Sequence, residues 1–291
     1  CVHFGECGGC HYQHMAYETQ LAYKTDILRD QLARIGGFKD PPIRAAVGSP
    51  QAYYYRNHVQ FHLSPDGKLG FLAARQNLVV PVSECHLPEA ALNQVWPLLD
   101  LEPVPGVDRV GLRLGSDEDI MLVLEGSEPG PLEFSVEELE ISAVQLGPGG
   151  AMVLAGSETL RMEVCGRDFQ VSAGSFFQVN TAMAEAMVQH LLEHLPVAKT
   201  GTLLDVYSGV GLFSAFFAER VYRLVAIEVD PSACQDFVVN LDAFDHVELY
   251  EAPAEDVLES VDFKPEAAIV DPPRAGLDGA ALDGLLRQQP Q

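Results

Sequence analysis

The sequence is short of positive charge. Eighteen Lys and Arg stand against 42 Asp and Glu, a net charge of −24, and only five of those cations are lysines. Phosphates need cations against them, so a chain this acidic repels nucleic acid as a whole and can meet a polyanion only through a local patch. Lys24, Arg29, Arg34, Lys39, Arg44, Arg56, Lys68 and Arg75 place that patch in the N-terminal portion. From Leu114 to Leu160 there is no Lys or Arg but ten acids: Asp117, Glu118, Asp119, Glu125, Glu128, Glu133, Glu137, Glu138, Glu140 and Glu158. That run reads as a solvated face. Also missing are any stretch approaching the ~20 apolar residues of a membrane helix and any secretory leader before Cys1. A cytoplasmic protein free of the membrane is expected. No methionine opens the chain, which reads as a cut end.

Cysteine is sparse too, six in 291 residues, too few for a disulfide scaffold. Their distribution is uneven: CVHFGECGGCHYQH, residues 1–14, holds Cys1, Cys7 and Cys10 in a C-x5-C-x2-C spacing. Such clustering favours metal. Three thiolates need one more for a four-thiolate iron–sulfur cage. A zinc site of three cysteines and a histidine (His3, His11 or His14) fits the spacing equally well.

MAYETQLAYKTDILRDQLARI, Met15 to Ile35, has apolar residues at helical spacing and stops at Gly36-Gly37. From Tyr53 to about Cys165 the pattern shortens to strands: HVQFHLS, LGFLAA, NLVVPVS, DRVGLRLG, IMLVLEG and EISAVQL. A helix from Pro88 to Leu101, broken near Pro97, interrupts them. This reads as a mainly antiparallel β domain. Near Gln178 the rhythm changes. A helix over Thr181–Leu195 is followed by strand TLLDVYS, helix GLFSAFFAER, strand RLVAIEVD, helix PSACQDFVVNLDAF and strands VELYEA and EAAIVDPP. This alternation predicts an α/β fold, a parallel sheet with helices on both faces. A doubly wound sheet usually has more than four strands, so the C-terminal domain reads as incomplete. The expected division is 1–50, 51–168 and 169–291.

Two motifs in the last unit carry chemistry. LLDVYSGVGLF sets Asp205, Gly209 and Gly211 straight after a buried strand, where glycines let backbone approach a ligand closely. Glu228 ends the next strand, 23 residues after Asp205, placed to accept from ribose hydroxyls of a nucleoside. The spacing differs from G-x-G-x-x-G, which favours S-adenosylmethionine over NAD. Asp271-Pro272-Pro273-Arg274 then stiffens the exit of the fourth strand. Tyr53-Tyr54-Tyr55-Arg56-Asn57 could stack on unpaired bases or simply pack. His58 and His62 read as surface or packing residues, and Cys165 and Cys234 as buried thiols.

DVYSGVGLF, IEVD, DPPRAGL and the upstream GSFFQVN together resemble the RNA uracil-C5 methyltransferase family, and CVHFGECGGCHYQH resembles the iron–sulfur segment of its 23S ribosomal-RNA branch. The resemblance implies a Rossmann-like class I S-adenosylmethionine-dependent methyltransferase domain behind a β domain carrying a [4Fe–4S] cluster. It places methyl-donor contacts on Gln178, Tyr207, Gly209, Glu228 and Asp271, and cluster ligands on Cys1, Cys7, Cys10 and Cys85. It implies a monomer acting on a flipped uridine of RNA, 23S rRNA first. A cysteine thiolate adds to C6 of the uracil, C5 attacks the methylsulfonium, and a base removes the C5 proton. The family's nucleophilic cysteine and glutamate base follow DPPR, so both are expected beyond Gln291 and the 291 residues alone are expected to bind donor without turnover. Where the family commonly reads DLYCGVGTF, this chain has Ser208 and Leu212. Two other readings stay open: a silent cluster-bearing scaffold that binds RNA or S-adenosylmethionine, and an amino methyltransferase using Asp-Pro-Pro, against which Arg274 stands where an aromatic would be needed.

Overall fold

The computed structural model describes residues 1–99, 101, 106–127 and 141–290. The chain opens on an irregular segment carrying the first three cysteines, then helix α1 (Tyr17–Arg34), which Gly37 ends in a left-handed conformation at φ 71°. Strands β1 (His58–Leu63), β2 (Leu69–Leu72) and β3 (Val79–Pro81) follow. Helix α2 (Ala90–Val95) passes into a 3₁₀ turn at Trp96–Leu98, because Pro97 has no amide to continue it. Next come β4 (Arg109–Leu114), β5 (Ile120–Glu125), β6 (Ile141–Gly147) and β7 (Gly150–Ala155).

These seven strands make one sheet in the order β3-β2-β1-β4-β5-β6-β7. The pairs are antiparallel except β5 with β6, which is parallel. A parallel neighbour needs a crossover rather than a tight turn, and residues 126–140 separate the two strands. Phe61, Leu92, Trp96, Val110, Leu112, Leu122 and Leu124 form the core of this sheet. Of the acidic run, Glu128, Glu133, Glu137, Glu138 and Glu140 lie outside the described residues, while Asp117 pairs with Arg161 and Glu125 with Arg109.

The chain continues into a hairpin of β8 (Thr159–Val164) and β9 (Arg167–Ser172), then α3 (Thr181–His194), β10 (Thr202–Val206), α4 (Leu212–Phe217), β11 (Arg223–Glu228), α5 (Pro231–Asn240), β12 (Val247–Glu251), α6 (Ala254–Ser260), β13 (Ala267–Val270) and α7 (Gly279–Gln288). Strands β10 to β13 form a wholly parallel sheet in the order β12-β11-β10-β13. Alternate side chains serve opposite faces. Leu203, Leu224, Ala226 and Ile269 pack beneath Val188 of α3, Ala215 of α4 and Phe237 of α5. Leu204, Val206, Val225 and Ile227 pack beneath Val257 of α6 and Leu285 of α7.

The β8–β9 hairpin belongs to this second core: Met162, Val164, Phe169 and Val171 are buried there with Phe213 and Phe237. Residue 168, where a boundary was expected, therefore lies inside β9. Cys165 corrects the sequence reading. It is exposed rather than buried, because Cys165-Gly166 is the two-residue turn of the hairpin, with φ of 50° and 74°. Cys234 is buried, as expected. Among the described residues, no helix is long and apolar enough to cross a membrane.

Candidate donor crevice and cysteine cavity

In an open parallel sheet, ligands bind outside the carboxyl ends of the strands, where the strand order reverses. Here β10 is the first strand laid down, with β11 on one side and β13 on the other, and the crevice lies at their ends. Glu228 is the last residue of β11, Asp205 is the penultimate residue of β10, Tyr207 and Gly209 follow β10 directly, and Asp271 follows β13 directly. Three strand ends are thus brought to one edge by parallel pairing alone.

The glycine loop is shaped for close approach. Tyr207, Gly209 and Gly211 all have positive φ, at 66°, 55° and 88°. A carbon added at Gly211 would strike Leu241 at 2.4 Å and Phe237 at 2.9 Å, so this glycine serves packing against α5. A carbon added at Gly209 would meet nothing within 4 Å among the described residues. That glycine faces open space, as a ligand cradle does.

Glu228 ties the loop to its own strand. Its Oε2 accepts from the Gly209 amide at 2.8 Å, and its Oε1 accepts from the amides of Val229 at 2.7 Å and Asp230 at 2.8 Å. A carboxylate offers about four acceptor sites, so about one remains for a ligand hydroxyl in this arrangement. Asp205 is 1% exposed. Its Oδ2 accepts from the Ser214 hydroxyl at 2.6 Å, whereas its Oδ1, like the Ser208 hydroxyl, is buried with no hydrogen-bond partner among the described residues. Burial pushes the Asp205 carboxyl up to about 6, Ser214 opposing the shift and Asp271 and Glu228 adding to it. Burial raises Asp271 as well.

The sign of the Asp205 effect is testable. The unfolded carboxyl ionises at its ordinary 3.8, and the folded one keeps its proton to about 6. Between these values folding takes up a proton, so stability falls as pH rises through the window and levels off above it. Asp205→Asn is neutral throughout and escapes the fall. Relative to wild type, its unfolding free energy should rise by up to about 3 kcal/mol between pH 4 and pH 7. Urea unfolding of both chains at the two pH values reads this; a constant difference between them contradicts it.

Gln178 comes from a different loop of the same unit. It lies in the loop between β9 and α3, whose Gly174 abuts Ser232 in the first turn of α5. Its backbone oxygen accepts from the Asn57 side chain at 3.0 Å. Asn57 was not singled out from the sequence for this role, and no spacing within its YYYRN segment signals it.

The four predicted cluster cysteines come together elsewhere. Cys1, Cys7, Cys10 and Cys85 line one cavity of about 370 Å³, together with Arg56 and Arg274. The N-terminal segment reaches it by docking on the hairpin of β2 and β3: Gly8 donates to the Leu72 carbonyl at 2.9 Å and Ala74 to that of Glu6 at 3.2 Å. A carbon on Gly8 would lie 2.6 Å from that Leu72 oxygen, so only glycine allows the approach. Cys85 arrives on the loop after β3, held by Glu84, which accepts from the Val2 amide at 2.8 Å. Burial raises Cys10 and Cys85, with Cys7 adding to each. Arg56 Nε is buried without a hydrogen-bond partner among the described residues.

The histidines stand back. His3 lines the cavity, but its Nε2 accepts from the Ser83 amide at 3.0 Å. His14 packs on Phe4 and His11 on Tyr12. Among the described residues, no group of three or more His, Cys, Asp or Glu is set to hold a metal ion. His58 is partly buried, and burial first, then Arg113 and Arg56, push it down to about 3, so it stays neutral. Tyr53 and Tyr54 are exposed and meet His86 edge-on, with the Tyr54 hydroxyl 2.7 Å from His86 Nδ1.

Comparison with known proteins adds the following. The model of the tRNA (uracil-5-)-methyltransferase family matches residues 153–290. An uncharacterized RNA methyltransferase of Nostoc sp. is 30% identical, covering 100% of this chain and 71% of its own length. A second, of Thermosynechococcus vestitus, is 31% identical over 100% of this chain and 72% of its own. The solved tRNA (uracil-54, C5)-methyltransferase of Pyrococcus abyssi, in complex with S-adenosyl-L-homocysteine, superposes with a TM-score of 0.72 at 25% identity, covering 98% of this chain and 75% of that one.

Proposed function

The chain belongs to the tRNA (uracil-5-)-methyltransferase family of RNA methyltransferases, and from that membership we propose that it takes part in transferring a methyl group from S-adenosylmethionine to C5 of a uracil in RNA. The observation that carries the donor reading is the crevice at the ends of β11, β10 and β13, where Glu228 grips an open glycine at position 209. The residues fit the donor. Asp205 Oδ1 and the Ser208 hydroxyl are buried polar atoms without partners among the described residues, Gly209 leaves room for close backbone approach, and Glu228 keeps an acceptor site for a ribose hydroxyl. When bound, the donor supplies an electrophilic methyl. Tyr207, Gly209, Glu228 and Asp271 would hold it, and Gln178 would close it from the opposite loop.

Neither thiol outside the cavity serves as the attacking group on the uracil. Cys234 donates to the Glu228 carbonyl at 3.5 Å, and burial pushes it up to about 12, so it stays a thiol at neutral pH. Cys165 sits on the far hairpin turn, and burial raises it too. Neither Cys165 nor Cys234 is therefore proposed for the covalent step.

Cys1, Cys7, Cys10 and Cys85 would hold a [4Fe–4S] cluster. The reading is supported by four thiols around one cavity and by two guanidinium groups in its wall, which suit an anionic cluster with sulfur acceptors; among the described residues these thiols do not themselves form a group set to hold a metal ion. When present, the cluster supplies a structural tie between the N-terminal segment, the β2–β3 hairpin and the DPPR loop. The units proposed are a cysteine segment (1–50), a central β unit and a donor unit, the expected boundary at 168/169 moving ahead of β8 because the β8–β9 hairpin packs with the donor unit. The chain is read as a cytoplasmic monomer.

The RNA is read as 23S ribosomal RNA, on the resemblance of the cysteine segment. Mass spectrometry of nucleosides from purified 23S rRNA and tRNA, with and without the gene, tests this. Loss of 5-methyluridine from 23S rRNA alone is expected. Loss from tRNA alone would move the substrate to tRNA, and no loss from either would overturn the uracil reading.

A further inference from the structure

Two buried polar residues of the seven-stranded sheet turn away from their own core. Asn57 and Arg113 are 3% and 5% exposed. Asn57 directly precedes β1 and Arg113 lies on the neighbouring β4, since Arg113 is in register with His58 and the Leu114 amide donates to the Asn57 carbonyl at 2.7 Å. Both reach into the loop that carries Gln178. Arg113 donates through Nη1 to the Ser172 carbonyl at 2.9 Å and through Nη2 to the Ser175 carbonyl at 2.6 Å. The Asn57 amide donates to the Val179 carbonyl at 3.0 Å. Its side-chain nitrogen donates to the Gln178 carbonyl at 3.0 Å and to the Thr181 hydroxyl at 3.1 Å.

The same loop is gripped from α5 of its own unit. Asp236 of α5, fully buried, accepts from the Ser172 amide at 2.7 Å, the Ser172 hydroxyl at 2.7 Å, the Ser175 hydroxyl at 2.6 Å and the Gln170 side chain at 3.0 Å. One turn on, Asn240 accepts from the Gln170 amide at 2.7 Å and donates to the Val210 carbonyl of the glycine loop at 2.9 Å. A buried arginine and aspartate stabilise a fold weakly, because desolvation offsets most of what they gain. What they do fix is a path for the backbone between them: a planar fork spans two carbonyls in one geometry only.

We propose that Asn57, Arg113 and Asp236 are positioning residues for the methyl donor. They hold residues 172–181 so that Gln178 meets the donor opposite Glu228. The inference rests on the crevice being the S-adenosylmethionine site. It gives Asn57 an internal role, leaving contact with RNA to the exposed tyrosines of its segment.

Calorimetric titration with S-adenosylhomocysteine tests it, using wild type, Arg113→Lys, Asn57→Ala, Gln178→Ala and each pair with Gln178→Ala, alongside the unfolding midpoint of every chain. Lysine cannot span both carbonyls, so Arg113→Lys should weaken binding about tenfold. Asn57→Ala removes donors without leaving a buried charge and should weaken it about fivefold. In the Gln178→Ala background both effects should shrink below about twofold, the non-additivity that marks action through one residue. Equal losses in both backgrounds, or unchanged affinity in the single variants, would overturn the inference while leaving the donor site standing. Wild-type chain that binds no S-adenosylhomocysteine would overturn the donor reading itself, and this inference with it.

Discussion

Glu228→Gln is expected to raise the dissociation constant for S-adenosylhomocysteine about 100-fold. Both oxygens of Glu228 accept backbone amides, from Gly209 on one side and from Val229 and Asp230 on the other. A glutamine presents only one acceptor oxygen, so its NH₂ must face donors on whichever side it takes. A part-buried donor left without an acceptor costs about 1–3 kcal/mol. The ribose loses its charged acceptor at the same time. A combined loss near 3 kcal/mol corresponds to about two decades in affinity. Calorimetry on the two chains reads it directly. Unchanged affinity would mean that Glu228 does no more than tie the glycine loop to β11.

Cys85→Ser should abolish the metal centre. Wild-type chain reconstituted anaerobically is expected to be brown and to carry about four iron and four sulfide; the variant should hold less than one iron. The four cysteines divide between an N-terminal segment and the loop after β3, and the segment is held to the rest by surface contacts such as those of Gly8, Ala74, Val2 and His3. Losing the cluster should therefore also free residues 1–10, read as faster amide exchange of that segment while β10 to β13 keep their protection. Stoichiometric zinc in place of iron in the wild type would contradict the cluster reading.

Much of the donor unit was legible in the sequence because its signals are local. A buried strand, a D-x-x-x-G-x-G turn and an acid at the next strand end place Asp205, Gly209 and Glu228 with no knowledge of long-range packing. α1 and its glycine stop were legible for the same reason, though helices α6 and α7 were not foreseen. The hairpin of β8 and β9 was harder. Its residues alternate like any half-buried strand, and only the packing of Met162, Val164, Phe169 and Val171 decides which core it joins. Cys85 carries no spacing signal of its own; the family resemblance supplied it, and the fold brings it to the cavity of the other three. Asn57 and Arg113 were beyond reach, since they bind backbone carbonyls 121 and 59 residues away, and a carbonyl has no letter in the sequence.

The central claim is that the crevice at the ends of β11, β10 and β13 is a methyl-donor site of a uracil-C5 RNA methyltransferase. Titrating S-adenosylhomocysteine and NAD separately into the wild-type chain tests it most directly. One S-adenosylhomocysteine per chain, with no heat from NAD, is the predicted result. NAD binding with equal or greater affinity, or silence from both ligands, would contradict it.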